Sequence, residues 1–135
     1  MASRIKAINA YRPRIEQDKT VQKNELISYL AARTGQNEGA VDLGIKELRD
    51  ALIFFNRSGR AVKVEGLGTW GPNIELDGTL DVKYIADSTL KNRLNDSGTF
   101  TGNVKNRENI GKTPDELVQL WNEQHPEDLV PPAED

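Results

Sequence analysis

The stretch Val62-Lys63-Val64-Glu65-Gly66-Leu67-Gly68-Thr69-Trp70 decides how this chain folds. Its two valines alternate with charged residues, which is the period-2 pattern of a half-buried strand. Its two glycines allow backbone angles that other residues resist, so the pattern predicts a sharp change of direction after the strand. The tryptophan that ends the stretch carries a large apolar ring, which needs cover from other elements.

Two helical patterns precede this stretch. The first covers residues 23–33 and ends at Gly35, a residue suited to a left-handed cap. The second covers residues 38–56 and begins at Asn37, a favourable N-cap. It carries a long apolar stripe of Val41, Ile45, Leu48, Leu52 and Phe55. Because other apolar residues widen the stripe, we expect this helix and Trp70 to lie in a dimer interface, with a core helix within one chain as the alternative.

A hairpin and a short helix are predicted after the stretch. Asp77-Gly78 lies between the alternating residues 73–76 and 79–84, which is a strong signal for a tight hairpin turn. Asp87 or Ser88 then caps a third helix that runs to residue 94. The central residues 21–94 therefore form the principal domain.

The two ends of the chain are predicted to be simpler. Residues 1–20 form a basic extension, either an edge strand or a flexible arm, in which Pro13 stops any helix. Residues 95–112 are rich in Asn, Gly, Ser and Thr and predict a loop or linker. Thr113 and Pro114 begin a further acidic helix over residues 113–125. Residues 126–135 predict a disordered acidic tail.

Composition and charge limit the classes of function that this chain can have. Hydrophobic residues make up 36% of the 135 residues and no cysteine is present, which excludes a disulfide framework and a thiolate metal site. No apolar run approaches the roughly 20 residues of a membrane span, and the N-terminus lacks the pattern of a signal peptide, so we expect a cytoplasmic protein. All 18 Lys and Arg lie in residues 1–113, whereas residues 114–135 contain seven acidic residues. The acidic end either aids solubility or lies over the basic body and competes with nucleic acid.

Three motifs carry a family resemblance. Gln22-Lys23-Asn24-Glu25-Leu26-Ile27, Arg33-Thr34-Gly35 and Gly66-Leu67-Gly68-Thr69-Trp70 resemble, at ungapped spacing, those of the bacterial histone-like HU and integration host factor family. Residues 82–86 and 90–92 are also similar to that family. The resemblance spans about residues 22–94. It implies an α+β fold with two N-terminal helices, a small antiparallel sheet and a short third helix, here with an extra C-terminal helix, in an intertwined homodimer.

The resemblance implies DNA binding, but the chain differs from the family in the segment that corresponds to the DNA-binding arm. Family members bind duplex DNA with two long basic β-ribbon arms, which reach round the minor groove and insert a proline between base pairs. Here only 11 residues separate Trp70 from Val82, about half the length of the family's arm, and the Arg-Asn-Pro tip is absent. Residues 71–81 contain three acids and no Lys or Arg, and a polyanion repels such an arm. The wedge role is therefore not transferred to Pro72.

These observations predict a nucleoid-associated protein that binds duplex DNA with little sequence preference. The alternative is an HU-like dimeric interaction module that has lost DNA binding, with Leu117, Leu120 and Trp121 of the last helix docking a partner protein or packing on their own domain. No cofactor or metal site is expected, and an enzyme is disfavoured because the single histidine, His125, lies between a helix end and a proline. The candidate phosphate contacts are Arg4, Lys6, Arg12, Arg14, Arg57, Arg60, Lys63, Lys83, Lys91 and Arg93.

Overall fold

The computed structural model describes residues 1–132 and shows an α+β protein, which confirms the predicted fold class. The helices are α1 (Arg4–Tyr11), α2 (Lys23–Thr34), α3 (Glu38–Arg57), α4 (Ser88–Leu94) and α5 (Pro114–Gln124). The strands are β1 (Arg14–Glu16), β2 (Val62–Val64), β3 (Gly68–Ile74), β4 (Leu80–Ala86) and β5 (Asn103–Lys105). Within the described residues, no helix is both long and apolar enough to cross a membrane.

The chain divides into two compact units. The central unit covers residues 20–101, and the terminal unit combines residues 1–19 with the chain from residue 102 onward. The central unit contains α2, α3, the antiparallel sheet β2-β3-β4 and α4. The terminal unit contains α1, α5 and a two-stranded antiparallel ribbon of β1 and β5.

Local signals at the helix ends of the central unit are confirmed. Asn37 caps α3 by accepting a hydrogen bond from the backbone N–H of Ala40 at 2.7 Å. Gly35 ends α2 in the left-handed conformation, with φ at 74°. Asp87, one of the two predicted caps, accepts a hydrogen bond from the N–H of Thr89 at the start of α4. Each contact satisfies a backbone group that the helix itself leaves without a partner.

The glycine turn after β2 reverses the chain, as its sequence predicts. Gly66 has φ at 82°, so the turn needs a residue without a side chain there. Beyond the turn, Val64 pairs with Gly68 and Val62 with Trp70, so Trp70 lies within β3 rather than at a strand end. The β3–β4 hairpin closes as predicted around Asp77, which accepts a hydrogen bond from the N–H of Thr79 at 2.9 Å.

Both chain ends are more structured than their sequences predict. The N-terminal segment is neither a lone edge strand nor a flexible arm, because α1 packs against α5 and β1 pairs with β5. Pro13 does stop the helix, since α1 ends at Tyr11. The predicted linker 95–112 contains β5 and a 3-10 turn over Arg107–Asn109.

The predicted disordered tail is ordered in part. Val130 is buried beside Trp121 and Ala7, and its backbone N–H donates to the side chain of Asn122 at 2.8 Å. The rest of that prediction falls on residues 133–135, which lie outside the described residues. The terminal unit thus has its own small core, assembled from chain segments that are more than 100 residues apart in sequence.

Candidate nucleic-acid interface

The central sheet has two faces of opposite character. Side chains alternate along a strand, so the pairing register assigns each residue to a face. Trp70 pairs with Val62 and with Tyr84, which places these three residues on one apolar face. Thr69, next to Trp70, points to the other face with its partner Lys63.

The polar face of the sheet carries two lysines, together with Ile85, which pairs with Thr69 and is 70% exposed. Lys63 lies opposite Thr69, and Lys83 lies opposite Gly71, two residues further along β3. Both lysines are exposed, and neither forms an ion pair within the described residues. Asp81 lies on this same face, opposite Asn73, and is the acid closest to Lys83 along β4. A polar face of this kind presents cations that can contact phosphates without reading bases.

The apolar face of the sheet is largely uncovered. Leu80, Val82 and Tyr84 on β4 are 74%, 52% and 47% exposed. Together with α3 this face forms a groove of about 360 Å³, whose walls include Leu52, Pro72 and Val82. Exposed apolar surface of this kind makes the groove a candidate interaction site.

Helix α3 also lacks cover on its apolar stripe. None of its 20 residues is buried within the described part of the chain. Val41, Ile45, Leu52 and Phe55 are only half-buried, and Leu48 is 40% exposed. Across residues 20–101 the buried positions are Ile27, Ala31 and Gly68. Three buried residues cannot supply the apolar burial that a domain of this size needs.

Asn56, a polar residue, lines the same groove. Its side-chain nitrogen donates to the carbonyl oxygens of Arg60 and Trp70 at 3.0 and 3.3 Å. Its side-chain oxygen is buried and accepts no hydrogen bond from the described residues. The amide of Asn56 thus ties the end of α3 to β3.

The other basic candidates of the central unit lie on separate elements. Lys91 and Arg93 occupy the last turn of α4 and are exposed. Arg60 lies over the ring of Phe55, with its guanidinium carbon 5.3 Å from the ring centroid. Arg57 lines the apolar groove beside Ile53, and so faces a different surface from Lys63.

Two N-terminal candidates are already paired with acids of the C-terminal segment. Arg4 forms an ion pair with Asp115, with an N–O distance of 2.6 Å. Lys6 lies 3.9 Å from Asp128 and 5.4 Å from the ring centroid of Trp121. These acids therefore offset the charge of basic residues in their own unit through ion pairs that are largely exposed.

The two remaining N-terminal candidates meet basic residues that the sequence analysis missed. Arg14 of β1 lies directly opposite Lys105 of β5, and Arg107 follows two residues later. Nothing in the sequence pattern links these positions, because each strand has only three residues and the two strands are about ninety residues apart. Within residues 1–132, no ion pair forms at Lys105 or Arg107. The same is true of Arg12 and Arg14.

The last helix packs within its own unit, which is one of the two alternatives that the sequence leaves open for Leu117, Leu120 and Trp121. Leu117 and Trp121 are buried, and Leu120 is half-buried. The indole N–H of Trp121 donates to the carbonyl oxygen of Asp128 at 2.7 Å, and its ring stacks on His125 at 3.8 Å. Since the apolar face of α5 is used in the core of the terminal unit, it is not available to another protein. Among residues 1–132, no three His, Asp or Glu side chains cluster as metal ligands.

No protein-family model matches the chain, and no curated protein sequence matches it. Among solved structures, the chain is similar to a mutant of HU from Thermotoga maritima. The two are 19% identical over 55% of this chain and 99% of that chain, with a TM-score of 0.48.

Proposed function

We propose that this protein is a homodimeric, nucleoid-associated protein that binds duplex DNA with little preference for sequence. The observation that supports this function best is the split character of the central sheet. Its apolar face and α3 are largely uncovered, and its opposite face presents Lys63 and Lys83 to solvent. The motifs at residues 22–27, 33–35 and 66–70, which resemble the HU and integration host factor family, agree with both halves of the proposal.

A second copy of the chain is the occupant that best fits the apolar face. The exposed residues belong to α3 and to the sheet, the elements that the resemblance assigns to an intertwined dimer. A symmetric partner would cover α3 with an identical apolar helix. Such a dimer also doubles the lysines that are available to one duplex, from two to four.

A dimer that does not bind DNA is the second candidate, and the hairpin tip favours it. Glu75, Asp77 and Asp81 lie at or near the tip, and no Lys or Arg occurs in residues 71–81. Ile74 and Leu76 are exposed there, at 65% and 110%. An acidic apolar tip is repelled by phosphate and suits a protein surface better than a DNA groove.

Binding to two labelled duplexes of unrelated sequence separates these candidates. The DNA-binding proposal predicts similar affinity for both, because phosphate contacts carry no sequence information. It also predicts weaker binding to both duplexes by Lys63→Gln/Lys83→Gln. The matched control is Lys23→Gln/Lys46→Gln, which removes the same charge from lysines that are paired with Asp42. Equal binding by the two double variants would show that the polar face of the sheet does not contact the DNA.

A further inference from the structure

The ribbon of the terminal unit places two like charges against each other. Arg14 and Lys105 are directly paired in the β1–β5 register, so their side chains leave the same face of the ribbon. Both are exposed. Like charges directly opposite in an antiparallel pair are destabilising, so this arrangement costs stability in the isolated protein. An anion bound between them removes that cost.

Asparagine side chains hold the backbone around two further basic residues, Arg12 and Arg107, at the same end of the ribbon. Asn106 has φ at 58°, in the left-handed region, and its amide donates to the carbonyl oxygens of Ala10 and Arg12 at 3.1 and 3.0 Å. Asn109 is 4% exposed, and its amide donates to the carbonyl oxygen of Tyr11 at 2.7 Å. These contacts fix the segment that carries Arg12 against the segment that carries Arg107.

Three positive groups of the terminal unit are paired with acids. The amino terminus, Arg4 and Lys6 take the acids Asp115 and Asp128. Four other cations, Arg14 and Lys105 in the ribbon and Arg12 and Arg107 directly beside it, have no ion pair within residues 1–132. Lys19 and Lys112, elsewhere in the unit, have none there either. The neighbouring acids are Glu16 and Glu108, and neither pairs with them. A local excess of positive charge therefore remains on a folded support.

We propose that Arg12, Arg14, Lys105 and Arg107 form a second DNA-contact surface that binds backbone phosphates of a duplex. This surface, the ribbon patch, is distinct from the polar face of the central sheet. Arginine suits it because a guanidinium can contact a phosphate with two hydrogen bonds at once. The inference rests on the proposed DNA-binding function and extends it to the terminal unit.

The test compares three double variants of the full chain by anisotropy of a labelled duplex across a range of salt concentrations. Arg14→Gln/Lys105→Gln removes the facing pair of the ribbon patch. Arg4→Gln/Lys6→Gln removes the same charge from the same unit at acid-paired positions. Lys63→Gln/Lys83→Gln removes the lysines of the central sheet. Each lost phosphate contact makes the slope of log affinity against log salt shallower by about 0.9.

The proposal expects the ribbon variant to make this slope shallower by about 2 for each copy of the patch that contacts the duplex, with the Arg4/Lys6 variant close to wild type. If the ribbon and Arg4/Lys6 variants match while the Lys63/Lys83 variant is weakened, the ribbon patch is overturned and the DNA-binding function stands. If the wild-type protein does not bind the duplex at any salt concentration, both are overturned.

A charge reversal tests the same patch with a variant that is expected to be more stable than the wild type, so that weaker binding cannot be caused by unfolding. Arg14→Glu places an acid opposite Lys105, which replaces a repulsive cross-strand pair with an attractive one. The expected result is a higher melting temperature together with weaker duplex binding than the wild type. A higher melting temperature with unchanged binding would identify these residues as ordinary solvated charges and overturn the proposal.

Discussion

The ring of Tyr84 covers Gly68 so closely that residue 68 has no room for a side chain. The Tyr84 hydroxyl donates to the carbonyl oxygen of Leu67 at 2.8 Å, which holds the ring across the glycine turn. A Cβ on Gly68 would meet the Tyr84 ring and would lie 2.6 Å from the carbonyl oxygen of Ile85. The turn that ends β2 is thus locked to β4 by one aromatic side chain.

Gly68→Ala should therefore destabilise the protein strongly. Its Cβ would clash with backbone and ring, and its φ of 154° is unfavourable for alanine. We expect a loss of about 3 kcal/mol or more in the free energy of unfolding. Gly66→Ala is the matched control, because Gly66 also has positive φ but has no atom within 4 Å of a built Cβ. It should cost about 1 kcal/mol. Urea unfolding at one fixed protein concentration measures both, and equal losses would contradict the clash.

Leu48→Asp should disrupt the proposed dimer. Leu48 lies on the apolar stripe of α3, and a carboxylate there would be desolvated against the partner helix. We expect sedimentation equilibrium to show at least a tenfold weaker association than the wild type. The control is Leu76→Asp, which adds the same charge at the fully exposed hairpin tip and should leave association unchanged. If the wild-type protein sediments as a monomer, the proposed homodimer is wrong.

Trp121→Ala should unfold the terminal unit. Trp121 is 6% exposed and packs with Ala2, Ala7 and Val130, so truncation leaves a large cavity in a small core. Losses of about 3–5 kcal/mol are typical for such a change. Hydrogen exchange should show lost protection in α1 and α5, whereas Gln119→Ala on the exposed side of α5 should retain it. Full protection of α1 in the Trp121 variant would show that the core does not depend on this residue.

The N-terminal cap of α4 should depend on pH. The hydrogen bond from the N–H of Thr89 holds the pKa of Asp87 below its usual range. Because the pKa is lowered in the folded protein, the cap stabilises α4 above the ordinary Asp pKa and is lost as pH falls through the folded value, below about pH 4. NMR shifts of Thr89 and Leu90 should therefore report fraying only in acid. Asp87→Asn should remove this acid transition, and its persistence in the variant would assign the transition to another group.

The sequence predicts the central unit well because the signals there are local. Asn37, Gly35 and Asp77-Gly78 each act on backbone groups within a few residues, so their effects can be read without knowing the tertiary structure. Helix α3 is a partial exception. Its stripe predicts burial, yet none of its residues is buried within residues 1–132.

The terminal unit escapes sequence analysis because its contacts are long-range. Helix α1 buries only Ala7, and a single small residue gives no periodic pattern. Strands β1 and β5 are too short for alternation to be recognised. The pairing of Arg14 with Lys105 depends on asparagine side chains that bridge more than 90 residues, and asparagine in a polar segment is typical of a loop.

The salt dependence of duplex binding tests the central claim most directly. A labelled duplex of about 30 base pairs is titrated with the full chain at several salt concentrations between about 50 and 200 mM. Lys63 and Lys83 from two protomers supply four phosphate contacts, which predicts a slope of log affinity against log salt of about −3.6 or steeper. A slope near zero, or no binding at the lowest salt concentration, would contradict the account and favour a dimer that does not bind DNA.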